Sequence, residues 1–185
     1  KTRRVNFDPK LYKRLQKLAA HREHGTPDEV QVFDYIYGVL HCPAYRNTYA
    51  EFLKIDFPRI PWPASPDEFW DVSAKGAKLR KLHLMDPAAI GPTPYAFTGD
   101  GDNVVDKPRF EDGRVWINAT QYFDSAPEVS WGFFIGGYQP AQKWLKDRKG
   151  RALSFDDVKH YQRILKILAE TDRIMGKISM TLDVP

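Results

Sequence analysis

Pro58, Pro61 and Pro63 all stand within Ile55–Pro63. Each proline fixes φ, removes a backbone donor and pushes its predecessor toward extended geometry. No helix can cross this stretch, so the helical patterns on either side must be separate elements. Before it, Pro9–Arg22 places Leu11, Leu15 and Leu18 at helical spacing, with Lys10, Lys13, Arg14 and Lys17 elsewhere on the surface. Thr26-Pro27-Asp28-Glu29 has the form of a capping box, with Thr26 as N-cap and Glu29 reaching back. The helix it opens carries Val32, Phe33, Ile36, Tyr37, Val39 and Leu40 as a broad apolar face, and Pro43 should break it and open another containing Tyr45, Tyr49, Phe52 and Leu53.

After the proline segment, Ser65-Pro66-Asp67-Glu68 repeats the capping logic and predicts a helix to about Leu84. From about Tyr95 to Ile135 the period changes. Arg114–Asn118 and Gly132–Ile135 read as strands, and Glu111-Asp112-Gly113 reads as a hairpin turn. A short helix is expected from Pro140 through Trp144 and Leu145. A long one follows from about Ser154, with Tyr161, Ile164, Leu165, Leu168, Met175 and Ile178 buried. The expected class is α+β: N-terminal helices, a small central antiparallel β region and C-terminal helices. One domain over 1–185 is expected, with a helical part at 1–64 and an α+β part at 65–185.

Several chemistries lack their residues. Cys42 is the single cysteine, which leaves no intramolecular disulfide, fits a reducing compartment and favours a cytoplasmic setting. No run approaches the ~20 apolar residues of a membrane span. The chain starts at Lys1 without an apolar leader and stops at Thr181–Pro185, so it is expected to be a fragment of a longer polypeptide. Asn118-Ala119-Thr120 matches a glycosylation acceptor but is better read as a strand end. His41-Cys42 cannot easily form a catalytic dyad, because adjacent helical side chains diverge. Asp100, Asp102, Asp106 and Glu111 occupy four positions of a calcium loop, but Val104 and Val105 fall at a ligand position and at the turn glycine. His21, His24, His41, His83 and His160 show no ligand spacing. Walker, nucleophile-elbow and dinucleotide motifs are absent.

The 28 Lys+Arg against 24 Asp+Glu give only +4, but the charges are segregated. Lys1, Arg3, Arg4, Lys10, Lys13, Arg14, Lys17 and Arg22 crowd the N-terminus. Lys75, Lys78, Arg80 and Lys81 share one helix. Lys143, Lys146, Arg148, Lys149 and Arg151 meet only Asp147, whereas 100–128 is acidic. This pattern fits either a one-sided polyanion footprint or solvated helix faces. Gln139 and Gln142 have the amide geometry for adenine, and Arg148 and Arg151 the fork for guanine. Lys143, Lys146 and Lys149 suit phosphates. Trp144 and Leu145 read as core, Asp147 as a local partner of Arg151, and Tyr45, Tyr49 and Phe57 as packing residues. Arg59 is either a structural pair-former or a phosphate contact.

Two stretches carry a resemblance. The first is His41-Cys42-Pro43-Ala44-Tyr45-Arg46 with Tyr49, Phe52-Leu53-Lys54 and Asp56-Phe57-Pro58-Arg59-Ile60-Pro61. The second is Gly136-Gly137-Tyr138-Gln139-Pro140 with Lys143-Trp144-Leu145-Lys146-Asp147-Arg148, Gly150-Arg151, Leu153-Ser154 and His160-Tyr161. Together, over about Val30–Ile178, they resemble the C-terminal target-recognition (specificity) region of Type ISP restriction–modification enzymes and related adenine-specific DNA methyltransferases. The resemblance implies a non-catalytic module that recognises double-stranded DNA and positions an adenine for a methyltransferase domain of the same polypeptide. It implies no cofactor in this chain and S-adenosylmethionine in the parent. Its expected DNA-facing residues are Lys75, Lys78, Arg80, Lys81, Gln139, Gln142, Lys143, Lys146, Arg148, Lys149 and Arg151. The alternatives are a protein-coupling module within the same enzyme, and a stand-alone metal-dependent hydrolase or nuclease using Asp100, Asp102 and Asp106.

Overall fold

A computed structural model describes residues 5–182; Lys1, Arg3 and Arg4 of the basic N-terminus, and the last three residues of the expected cut C-terminus, lie outside them. The described chain is α+β and forms two compact units, 5–84 with 174–182, and 85–173. The division expected at residue 64 falls inside the first unit, because the helix that follows it packs on an earlier helix of that unit.

In the first unit, α1 spans Pro9–Leu18. Asp8 caps it, its carboxylate accepting from the N–H groups of Lys10 and Leu11. The helix stops at Leu18 rather than Arg22: a tight turn pairs His21 with Gly25, which sits at φ +74°, and the His21 Nδ1 accepts from the N–H of Glu23 and of His24. Only Leu15 of the three leucines is buried. The next N-cap is Asp28 rather than Thr26. Its carboxylate takes the N–H of Val30 and Gln31, and Gln31 accepts from the Asp28 N–H, so the full box forms two residues later than Thr26 predicts.

Helix α2 (Glu29–His41) buries Val32, Tyr35 and Val39, while Phe33 stays exposed. α3 (Pro43–Thr48) and a 3-10 turn at Phe52–Lys54 follow, and then the extended proline segment. That segment is fastened by Tyr45, donating to the Arg59 carbonyl at 3.0 Å, and Tyr35, donating to the Pro61 carbonyl at 2.9 Å. Helix α4 (Pro66–His83) starts where Ser65 caps it; Glu68 accepts from the Ala64 N–H instead of closing a box with Ser65.

The α2–α4 crossing holds the unit together. Gly38 and Gly76 face the opposite helix so closely that a Cβ on Gly76 would lie inside van der Waals contact of the Asp34 carbonyl. Tyr35, Val39, Phe69, Val72 and Leu79 fill the surrounding core, with Cys42 fully buried and its thiol on the Ile178 carbonyl at 3.7 Å.

The second unit begins with α5 (Pro87–Ile90) and four short strands: β1 (Phe97–Thr98), β2 (Arg109–Glu111), β3 (Arg114–Trp116) and β4 (Tyr122–Phe123). They form an antiparallel sheet in the order β1-β4-β3-β2. Asp112 and Gly113 both take positive φ and make the tight turn that β2 and β3 require. Val115 opposite Phe123, and Phe110 opposite Val115, put one face into the core. On the other face, Arg109 lies 4.8 Å from the Trp116 ring and Arg114 4.6 Å from Tyr122, so guanidinium groups roof the outward aromatics.

The acidic loop before β2 is closed by a side chain. The buried Gln121 amide accepts from the Asn103 N–H at 2.8 Å and donates to its Oδ1 at 2.7 Å. Gly132–Ile135 is not a strand. Helix α6 (Glu128–Gly132) occupies its start, and Ile135 pairs only with Tyr138 across a tight turn. α7 (Pro140–Lys146) and α8 (Phe155–Met175) complete the unit, with the last residues of α8 counted in the first. Tyr161, Leu165 and Leu168 of α8 meet Leu145 of α7 and Phe123 of β4 in one core.

Candidate nucleic-acid interface

The expected cations of α4 separate into committed and free. Arg80 forks onto Asp34 at 2.6 and 3.1 Å, and Asp34 is only 4% exposed. That guanidinium neutralises a buried carboxylate, and the hydrogen bonds hold its pKa above the ordinary arginine value. Lys75 pairs with Asp71 one turn earlier at 2.5 Å. Lys78 and Lys81 are exposed and, among the described residues, have no ion-pair partner.

In the second unit the expected residues gather on α7 and the loop to α8. Ser154 caps α8 by accepting the Asp157 N–H at 3.1 Å, and Asp157 takes the Ser154 N–H at 3.0 Å. The same carboxylate accepts two hydrogen bonds from Arg151 at 3.0 and 3.1 Å, and the Arg148 Nε stands 3.7 Å away. Burial pushes the Asp157 carboxyl up, but the Ser154 and Arg151 hydrogen bonds outweigh it and hold the pKa below the ordinary value. Asp147 pairs with Lys143, at 2.7 Å, rather than with Arg151 as the spacing predicts. One helical turn separates both pairs, but α7 ends at Lys146, so the helix that would have aligned Asp147 with Arg151 is absent.

Arg148 is half-buried. Its guanidinium lies 3.6 Å from the centre of the Trp144 ring and donates to the Trp144 carbonyl. The two glutamines are also engaged: Gln142 donates to the Trp131 carbonyl at 3.0 Å and Gln139 to the Gly132 carbonyl at 3.3 Å. They fasten the base of the 132–139 turn, a role that no local sequence pattern announces. What remains open to solvent is Lys146 and Lys149, with Lys143 and Arg151 exposed but paired.

Three residues read as packing divide. Tyr45 is buried, Tyr49 is half-buried, and Phe57 is 87% exposed beside Ile55 at 84%. Phe57 has no wall to pack on because Pro58 holds the chain extended at the surface. Arg59 places its guanidinium 5.3 Å from the Phe52 ring. Among the described residues no three acidic, histidine or cysteine side chains are grouped to hold a metal ion. No helix of the described residues is long and apolar enough to cross a membrane.

The family model for the Type ISP C-terminal specificity domain matches residues 1–177. The chain belongs to that family. No curated relative matches this specificity domain. Its fold is shared by several solved structures. These include a DrdV–DNA complex (TM-score 0.71, 23% identity, 92% of this chain and 20% of that one). A second is the Type ISP restriction-modification enzyme LlaBIII bound to DNA (0.66, 16%, 92% and 12%). A third is a nuclease-deletion mutant of the Type ISP enzyme LlaGI with a DNA substrate mimic (0.61, 20%, 84% and 14%). The specificity domain thus spans at most a fifth of these chains.

Proposed function

We propose that this specificity domain binds duplex DNA as the non-catalytic target-recognition module of a restriction–modification enzyme, with α7 and the loop to α8 as its principal contact. The observation that carries the reading is the set of exposed cations Lys143, Lys146, Lys149 and Arg151 crowded around a half-buried arginine in a domain of this family. Lys146 and Lys149, free of ion pairs, take phosphates; Lys78 and Lys81 do the same on α4. Arg151 reaches a base or phosphate by exchanging its fork from Asp157, and Arg148 serves by positioning, locked on Trp144. The DNA complexes named above support this reading.

The parent polypeptide is proposed to carry an N6-adenine methyltransferase domain that takes S-adenosylmethionine, and this module delivers the adenine to it. A salt titration tests DNA binding. Apparent affinity should fall steeply with salt, and Lys146→Gln with Lys149→Gln should flatten the log–log slope by about 2. An affinity indifferent to salt, or a slope unchanged in the double variant, refutes the assignment. A second reading, coupling to the neighbouring domain, is favoured by the bare Ile55 and Phe57; it predicts intact DNA binding after neutralising Lys143, Lys146, Arg148 and Lys149 together.

A further inference from the structure

The turn before α7 is built to project. Ile135 and Tyr138 exchange backbone hydrogen bonds, the Ile135 N–H donating at 2.9 Å and the Tyr138 N–H at 3.3 Å. Gly136 takes φ +59°, and a Cβ on either glycine of the tip would meet nothing within 4 Å. The tip therefore stands in open space, while Gln139 and Gln142 fasten its base to the carbonyls of Gly132 and Trp131. A closed and fastened turn offers its side chains in a fixed arrangement, which lowers the ordering cost of binding.

Those side chains are the wrong ones for water. Phe134 is 59% exposed, Ile135 48% and Tyr138 49%, adjacent in one turn. A contiguous apolar patch on a fastened projection marks a contact site. Its surroundings say which kind. Residues 129–146 contain no Asp or Glu, and the turn runs directly into α7 with its exposed Lys143 and Lys146. An apolar protein surface would cover the tip but leave Lys146, which has no ion-pair partner among the described residues, to be desolvated without an anion, Lys143 alone keeping Asp147. A DNA duplex supplies both needs at once: phosphates for the lysines, and stacked bases as the apolar surface for the tip. Phe and Ile are among the side chains that architectural proteins drive between base steps.

We propose that Phe134, Ile135 and Tyr138 form a wedge that enters the base stack and opens one step of the bound duplex. This rests on the DNA-binding reading above. The phosphate contacts of α7 hold the duplex against the turn, and the glutamine-fastened base transmits that hold to the tip. The wedge sets specificity through the ease of unstacking at the step it enters, since pyrimidine–purine steps open most readily.

The test uses the intact polypeptide that carries this domain. Duplexes recovered from a pool with a randomised window define a bound sequence, and 2-aminopurine then replaces each adenine of that sequence in turn. Wild-type protein should raise the fluorescence at one step several-fold. In Phe134→Ala with Tyr138→Ala that rise should vanish while the complex still forms, with Kd weakened about tenfold; Phe134→Trp should restore it. Both residues are exposed, so the variant keeps its fold. A base flipped by another domain gives a signal common to both proteins and is subtracted. Wild-type binding without any Phe134-dependent signal overturns the wedge and leaves DNA binding standing. Binding to no duplex of the pool overturns the DNA reading and the wedge with it. Unchanged unstacking together with a lowered melting temperature of the double variant assigns the tip to a neighbouring protein domain and also overturns the wedge.

Discussion

Gly76→Ala is the sharpest probe of the first unit, because two physical effects predict opposite signs. Helix propensity alone favours alanine over glycine by about 1 kcal/mol in a helix interior. Packing opposes it. The new Cβ would lie 2.8 Å from the Asp34 carbonyl carbon, 2.9 Å from the Gly38 nitrogen, and nearer still to the Asp34 carbonyl oxygen. Carbon contacts are optimal at about 3.5–4.0 Å, so α2 and α4 must separate by roughly 1 Å.

The atoms in the way are backbone, so no side chain can turn aside. Separation strips contacts from Phe69, Val72 and Leu79, all fully buried on α4. Overpacking of this kind costs about 1–3 kcal/mol and occasionally more. The obstructing atoms are backbone, which puts the cost in the upper part of that range; with the propensity gain subtracted, the variant should lose about 1–2 kcal/mol, an appreciable part of the ~5–15 kcal/mol that holds a domain. Urea denaturation reads this as a lower midpoint at unchanged slope. A midpoint equal to or above wild type would refute the claim that the glycine exists for close helix approach.

Two further outcomes follow from the same unit. Arg80→Ala abandons a carboxylate that is 4% exposed and should destabilise by about 3 kcal/mol, whereas Arg80→Leu with Asp34→Leu should recover most of the loss; neither should alter the salt dependence of DNA binding. Burial, reinforced by the charge of nearby His41, pushes His83 down from 6.5 to about 4. The folded state therefore keeps His83 neutral while the unfolded chain gains its proton below about 6.5. Stability should be full above that pH, decline between about 6.5 and 4, and decline no further from this group below 4. Urea midpoints across that range, compared with His83→Phe, check it: an equally steep fall in the variant removes His83 as the cause.

Local rules announced much of the fold. Ser65-Pro66 opened α4, the prolines of 55–63 excluded helix, and Asp112-Gly113 turned the hairpin, because each acts through its own backbone. Competition between neighbours was less legible. Thr26 and Asp28 both offer cap oxygens, and Asp28 wins by reciprocal bonding with Gln31. Phe133-Phe134-Ile135 has the composition of a strand, yet no partner strand lies beside it among the described residues, and Gly136-Gly137 turns the chain back. The candidate interface was legible in its lysines and opaque in its arginines and glutamines. Whether a guanidinium is free depends on carboxylates such as Asp34, 46 residues away. The Trp144–Arg148 stack, by contrast, lies at the i, i+4 spacing that a helical turn brings together.

The brevity of the strands bears on how this chain behaves when unbound. The edge strands β1 and β2 are two and three residues long, too short to template pairing with a second molecule. Aggregation through the sheet is thereby closed off. Exposed Phe134 and Ile135, following the half-buried Phe133, have the composition for it, and Gly136-Gly137 and Pro140 interrupt the run before it reaches the length that cross-β stacking needs. Replacing both glycines with valine should lengthen that run and raise self-association of the chain.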